Sequence, residues 1–139
     1  MKFLFTLVLM VAFTSVAQGQ PSDHVLEFAG GAYVSQVTWV QGPQVRSESS
    51  LHMQWKSGAD GAPTELPGDF KVVLWMPGMG HGSRPTQIQQ STDSNGQPQV
   101  GAYDVTSIFF IMGGKWDVNV TLTLADGSEE TQTIAIKVP

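Results

Sequence analysis

Two methionines and a histidine fall within six positions in Met76-Pro77-Gly78-Met79-Gly80-His81-Gly82-Ser83. Thioether sulfur is a soft ligand and imidazole a borderline one, so together they suit copper, Cu(I) above all, better than magnesium, calcium or zinc. Such a set needs no thiolate, and the chain has no cysteine. That matters in an oxidising compartment, where a cysteine pair would close into a disulfide. Gly78, Gly80 and Gly82 are expected to turn the backbone sharply enough for donors two or three residues apart to converge. Met112, in Ile111-Met112-Gly113-Gly114-Lys115-Trp116, is another apolar run broken by glycines. The candidate metal ligands are therefore Met79, His81 and Met112, with Met76 next. A plainer reading competes: Met76 ends a buried strand, Met79 covers an edge and His81 sits in an ordinary loop. The segment would then be an apolar contact surface on a non-catalytic interaction module that holds no metal.

Other residues carry less. His52 and Met53 are adjacent, and in a strand adjacent side chains point to opposite faces, so at most one of them joins a given site; Met53 is expected in the core. His24, in a polar stretch, is expected to be solvated. Ser83 lies near His81 but without a G-x-S-x-G elbow or an acid partner, which argues against a hydrolase. Asp93-Ser94-Asn95-Gly96 lacks the ligand spacing of a calcium loop and reads as a turn. Trp39, Trp55, Trp75 and Trp116 are expected mostly in the core, with Trp75 and Trp116 flanking the ligands and able to shield bound Cu(I). The scattered acidic residues pair into no catalytic carboxylate set.

The elements that must position these groups are strands. Period-two alternation is clearest in Trp116, Val118, Val120, Leu122 and Leu124, which interleave with Asp117, Asn119, Thr121 and Thr123. Val45, Ser47, Ser49, Leu51, Met53 and Trp55 likewise share one parity, which turns Met53 inward and His52 outward. Further β character covers 33–40, 70–76, 100–111 and 129–138, with 86–90 a short edge strand, and Asp126-Gly127 marks a hairpin. Turn signals separate these runs and no helical period appears. About seven strands in this arrangement predict an all-β, immunoglobulin-like β-sandwich. Such a fold gathers several loops at one pole, which is how Met112 would reach the Met/His segment.

The 139 residues, 41% hydrophobic and 14% charged, fit one domain and exclude a disordered or collagen-like chain. With 7 Lys+Arg against 12 Asp+Glu, the net charge of -5 leaves no basic footprint for nucleic acid. Lys2, the apolar run 3–13 and Ser15-Val16-Ala17 have the form of a signal peptide over 1–17, cut after Ala17, and the run is too short to span a bilayer. The expected product is a periplasmic or secreted domain over 18–139, with no stable membrane anchor and a core that folds without disulfides.

Trp75-Met76-Pro77-Gly78-Met79-Gly80-His81-Gly82, then Gly101-Ala102-Tyr103, then Phe110-Ile111-Met112-Gly113-Gly114-Lys115-Trp116-Asp117-Val118 resemble the YtkA-like/FixH-like family of exported domains, over about residues 71–124. The resemblance implies an immunoglobulin-like sandwich and a role in copper handling, including supply to respiratory oxidases through a copper-receiving membrane or periplasmic protein. It places Met79, His81 and Met112, with Met76 after them, at the motif positions suspected of binding copper. FixH-like members are membrane-anchored, whereas this chain carries a cleavable leader, so the resemblance implies copper binding more directly than oxidase assembly. The resulting expectation is a Cu(I) carrier, chaperone or buffer that catalyses nothing.

Overall fold

The computed structural model describes residues 23–139; the expected leader and its cleavage point lie outside them. Nine strands make up the domain: β1 (His24–Phe28), β2 (Tyr33–Gln41), β3 (Ser49–Ser57), β4 (Phe70–Met76), β5 (His81–Gly82), β6 (Gln87–Thr92), β7 (Pro98–Ile108), β8 (Gly114–Thr123) and β9 (Glu129–Val138). A single 3-10 turn, Ala29–Gly31, is the only helical element among the described residues. The strands form two antiparallel sheets, β1-β2-β3-β7-β6 and β5-β4-β8-β9. In β2-β3-β7-β6 facing β4-β8-β9 this is the immunoglobulin order, with β1 added at one edge and β5 at the other.

Alternation places the core between the sheets. Leu51, Met53 and Trp55 of β3 and Trp116, Val118, Val120 and Leu122 of β8 are all buried, as their shared parities require. The all-β sandwich is the architecture that the sequence pattern predicts, with differences in detail. The stretch around His24 is not a tail: it is β1, paired with β2 from His24↔Val37 to Phe28↔Tyr33. Only Leu26 and Phe28 of it are buried, too short an apolar signal to stand out. The strand expected from Val45 starts at Ser49 instead, because Arg46 adopts a left-handed φ of 70° that no extended strand contains.

Two aromatic chains fill the sandwich lengthwise. Phe28, Trp55, Phe70 and Tyr103 stack in series, with centroids 5.3, 5.3 and 5.1 Å apart. Towards the other end Trp39, Phe110, Trp116 and His81 follow at 6.1, 5.4 and 5.9 Å. Offset and edge-on ring contacts of this kind add to area burial. They fill the interior where a disulfide would tie the sheets of an antibody domain.

Candidate metal centre

Strand directions send the connections 42–48, 77–80 and 109–113 to one pole of the sandwich, and 58–69, 93–97 and 124–128 to the other. Met76, Met79, His81 and Met112 thus all belong to the first pole. Met76 and His81 face each other directly across the β4–β5 ladder, so their side chains share the inner face of the sheet. Met76 is 7% exposed, and its Cε lies against Gly114, 3.0 Å from where a Cβ there would stand. The His81 ring packs edge-on against buried Trp116, 5.9 Å between centroids. His81 Nδ1 lies 3.3 Å from the Gly82 carbonyl oxygen. A carbonyl only accepts, so Nδ1 is the donor in this contact, and in the neutral ring Nε2 is the nitrogen whose lone pair a metal would use.

Met112 is held through its backbone: Trp116 Nε1 donates to the Met112 carbonyl at 2.9 Å. Its side chain is 40% exposed, and that of Met79, in the turn, 59%. The structure therefore seats buried Met76 beside half-buried His81 and leaves Met79 and Met112 as exposed residues in loops of the same pole. Trp116 is the shared support, touching His81 with its ring and Met112 through its indole N–H. Trp75 does not share this role. It lies on the outer face of β4, 41% exposed, because Met76 takes the inward parity.

Among the three loop glycines only two are needed. Gly80 has φ 63°, a left-handed position, and with Met79 it donates its N–H to the Met76 carbonyl, at 2.9 and 3.2 Å. Gly82 has ordinary backbone angles but lies so close to β4 that a Cβ would stand 2.9 Å from the Leu74 carbonyl oxygen. Gly78 meets neither condition: nothing lies within 4 Å and its φ is not left-handed. The Ser83 hydroxyl donates to the Phe109 carbonyl and so ties the segment after β5 to the 109–113 loop.

The remaining candidates lie elsewhere. Met53 is fully buried in the core. His52 lies on the outer face of the five-stranded sheet, its Nδ1 2.9 Å from Asp104 Oδ1, while Asp104 Oδ2 accepts from Ser91 Oγ at 3.0 Å. Among the described residues no group of three or more His, Cys, Asp or Glu side chains comes together to hold a metal. The donor set on offer at the first pole is the soft Met/His one, which fits copper rather than calcium or a tetrahedral zinc site.

Sequence reasoning passed over Arg46 and Arg84, which line an open cleft beside Met112 at this pole. The signal available was that these are the two arginines of the chain; nothing local in the sequence joins them. No family model matches the chain, and no curated protein and no solved structure matches it.

Proposed function

We propose that this protein is a copper-binding β-sandwich of the YtkA-like/FixH-like kind, a periplasmic or secreted carrier or buffer that passes Cu(I) to a membrane or periplasmic acceptor and performs no catalysis. The observation that carries the reading is the opposed pair of Met76 and His81 on the inner face of β4 and β5, beside Trp116 and within the pole that also bears Met79 and Met112. His81 would supply a nitrogen usable by Cu(I) or Cu(II), and the thioethers would supply sulfur that favours Cu(I). A thioether has no proton to lose, so acid acts on the site only through competition for the imidazole. Two exposed methionines near buried Met76 and half-buried His81 also suit a carrier, which must hand its ion to another protein.

The test is competition titration against a Cu(I) chelator and, separately, a Cu(II) chelator, using wild type, Met76→Leu, Met79→Leu, Met112→Leu and His81→Ala. Met-to-Leu exchange nearly conserves volume and apolarity, so each variant should fold. Equal Cu(I) binding by all five proteins sinks the reading. The pole would then be a contact surface, a second reading favoured by the exposure of Met79, Ile111 and Met112.

A further inference from the structure

Arg46 and Arg84 stand on the wall of one open cleft of about 520 Å³, and Val45, Phe109, Ile111 and Met112 supply its apolar part. In a chain of net charge -5, gathering both arginines in one place runs against the overall field. Among the described residues neither guanidinium has a carboxylate partner; the ion pairs are His52–Asp104 and Lys71–Glu129. The acid closest in sequence to Arg46 is committed elsewhere, since Glu48 Oε1 accepts from the Ser107 N–H at 2.6 Å. Arg84 lies over the Phe109 ring, with Cζ 4.4 Å from the centroid. A guanidinium held over a ring by its charge still has N–H groups to offer another acceptor, and no hydrogen bond from the Arg84 guanidinium is found among the described residues.

The backbone around the cleft is held under strain. Arg46 has φ 70° and Ser107 φ 57°, positions that cost a non-glycine residue about 1 kcal/mol or more. The hydrogen bond from Ser107 to Glu48 ties these two segments together beside a register shift between β3 and β7. Irregularities of this type re-aim a strand end, and these stand at the end of β7 that leads into the 109–113 loop. Its Ile111 is 63% exposed. Arginine, methionine and aromatic side chains around an exposed aliphatic residue are the composition of an interface centre.

We propose that this cleft is a docking site for a segment of a partner protein in which acidic residues alternate with large apolar ones. Its carboxylates would accept from the Arg46 and Arg84 edges, and its apolar side chains would cover Ile111 and Met112. A phosphate polymer fits less well, because the acidic body repels it and the apolar wall offers a sugar-phosphate backbone nothing. The proposal shares Met112 with the copper reading but rests on Arg46 and Arg84, which supply no copper donor, so its test uses the metal-free protein and the two arginine variants and stands or falls separately.

The test is amide NMR of the metal-free protein titrated with a synthetic ten-residue peptide of alternating Leu and Glu, and with its Leu/Gln counterpart. Expected are shifts confined to residues around 45–46, 84 and 109–113, binding that weakens as salt is added, and a loss of about tenfold or more with Gln in place of Glu. Arg84→Gln and Arg46→Gly should each weaken binding about tenfold. Arg46→Gly also relaxes the left-handed backbone, so the loss of binding should come without loss of stability. No binding, equal binding of both peptides, or shifts centred on another face overturns the proposal. So does hexanoate binding as tightly as the peptide, which would make the cleft a small-carboxylate pocket. Concentration-dependent shifts of the same residues without peptide would give the cleft to a second copy of the chain and overturn it equally.

Discussion

The two poles of the sandwich are built on the same plan and finished differently. Each rests on a four-ring aromatic chain, but one chain ends on the phenol of Tyr103 and the other on the imidazole of His81. At the Tyr103 pole the turns are closed by aspartates. Asp93 Oδ1 accepts from the N–H groups of Asn95 and Gln97 at 2.8 and 2.9 Å, Asp60 Oδ1 from Ala62 at 3.0 Å, and Asp126 Oδ1 from the Ser128 N–H at 2.9 Å and hydroxyl at 2.6 Å. At the His81 pole the 77–80 turn is closed by backbone alone, through the Met76 carbonyl. The turn leaves Met79 over for other uses, and the pole as a whole bears thioethers, an imidazole and two guanidiniums. Turns stabilised by their own carboxylates are finished structure. A turn that needs only its backbone can present its side chain outward, as Met79 is presented, whereas the 42–48 and 109–113 loops of the same pole are tied by Ser49, Glu48, Ser83 and Trp116 side chains.

The sharpest way to break this contrast is His81→Ala, which should lower affinity for both copper ions on the order of a hundredfold, as loss of a ligand or its support does. Met79→Leu and Met112→Leu should lower Cu(I) affinity about tenfold and Cu(II) affinity less. Chelator competition measures all of these, and the apo circular dichroism spectrum should stay that of a folded β protein, because the core needs no ion.

A second test changes position without touching a donor. Gly82→Ala forces β5 away from the Leu74 carbonyl and so displaces His81, whereas Gly78→Ala meets open space. The first should weaken copper binding about tenfold through a misplaced ligand, and the second should leave it unchanged. If the two variants bind alike, the placement of β5 does not matter to the site.

At the opposite pole, Asp93→Ala should remove two turn hydrogen bonds and cost about 1 kcal/mol, seen as a fall of about 4 °C in thermal midpoint. Copper affinity should not change. A shift in copper affinity would mean that the two ends are coupled through the core.

The smallest effects are those of pH on the same pole. The Ser128 hydroxyl, with its N–H, holds the Asp126 carboxyl below its ordinary value. Stability from this contact is present above the ordinary carboxylate pKa and is lost as pH falls through the lower folded value. Ser128→Ala should flatten that acid limb. Burial first, then the charges of Glu65 and Asp69, raises the Tyr103 pKa. Its contribution is complete below the ordinary tyrosine value and is lost as pH rises through the higher folded one. Denaturant midpoints measured across pH in wild type, Ser128→Ala and Tyr103→Phe check both signs.

Much of this was legible in the order of residues alone. Alternation in Trp116 to Leu122 and in Ser49 to Trp55 carries the face of each side chain, because successive strand residues point to opposite sides. The Met/His segment is visible for the same local reason: its members lie within six positions. Trp75 differs from the expected core position because Lys71, Val73 and Trp75 share the outward parity of 70–76, a face that a single lysine marks among apolar residues. In the register Met76 faces His81, and Trp75 faces Gly82 and Asp117.

What the sequence by itself determined is therefore strand content, facing within each strand and the donors that are neighbours along the chain. Only the tertiary structure decided that Met112 comes to the pole of His81 under a shared Trp116, and that Arg46 and Arg84 share one cleft. It also decided that Gly82 rather than Gly78 is the indispensable glycine beside β4. The physical reason is range: a period of two residues reports on a side chain and its local backbone, whereas proximity between distant segments depends on strand order, register and the bulges that redirect strand ends.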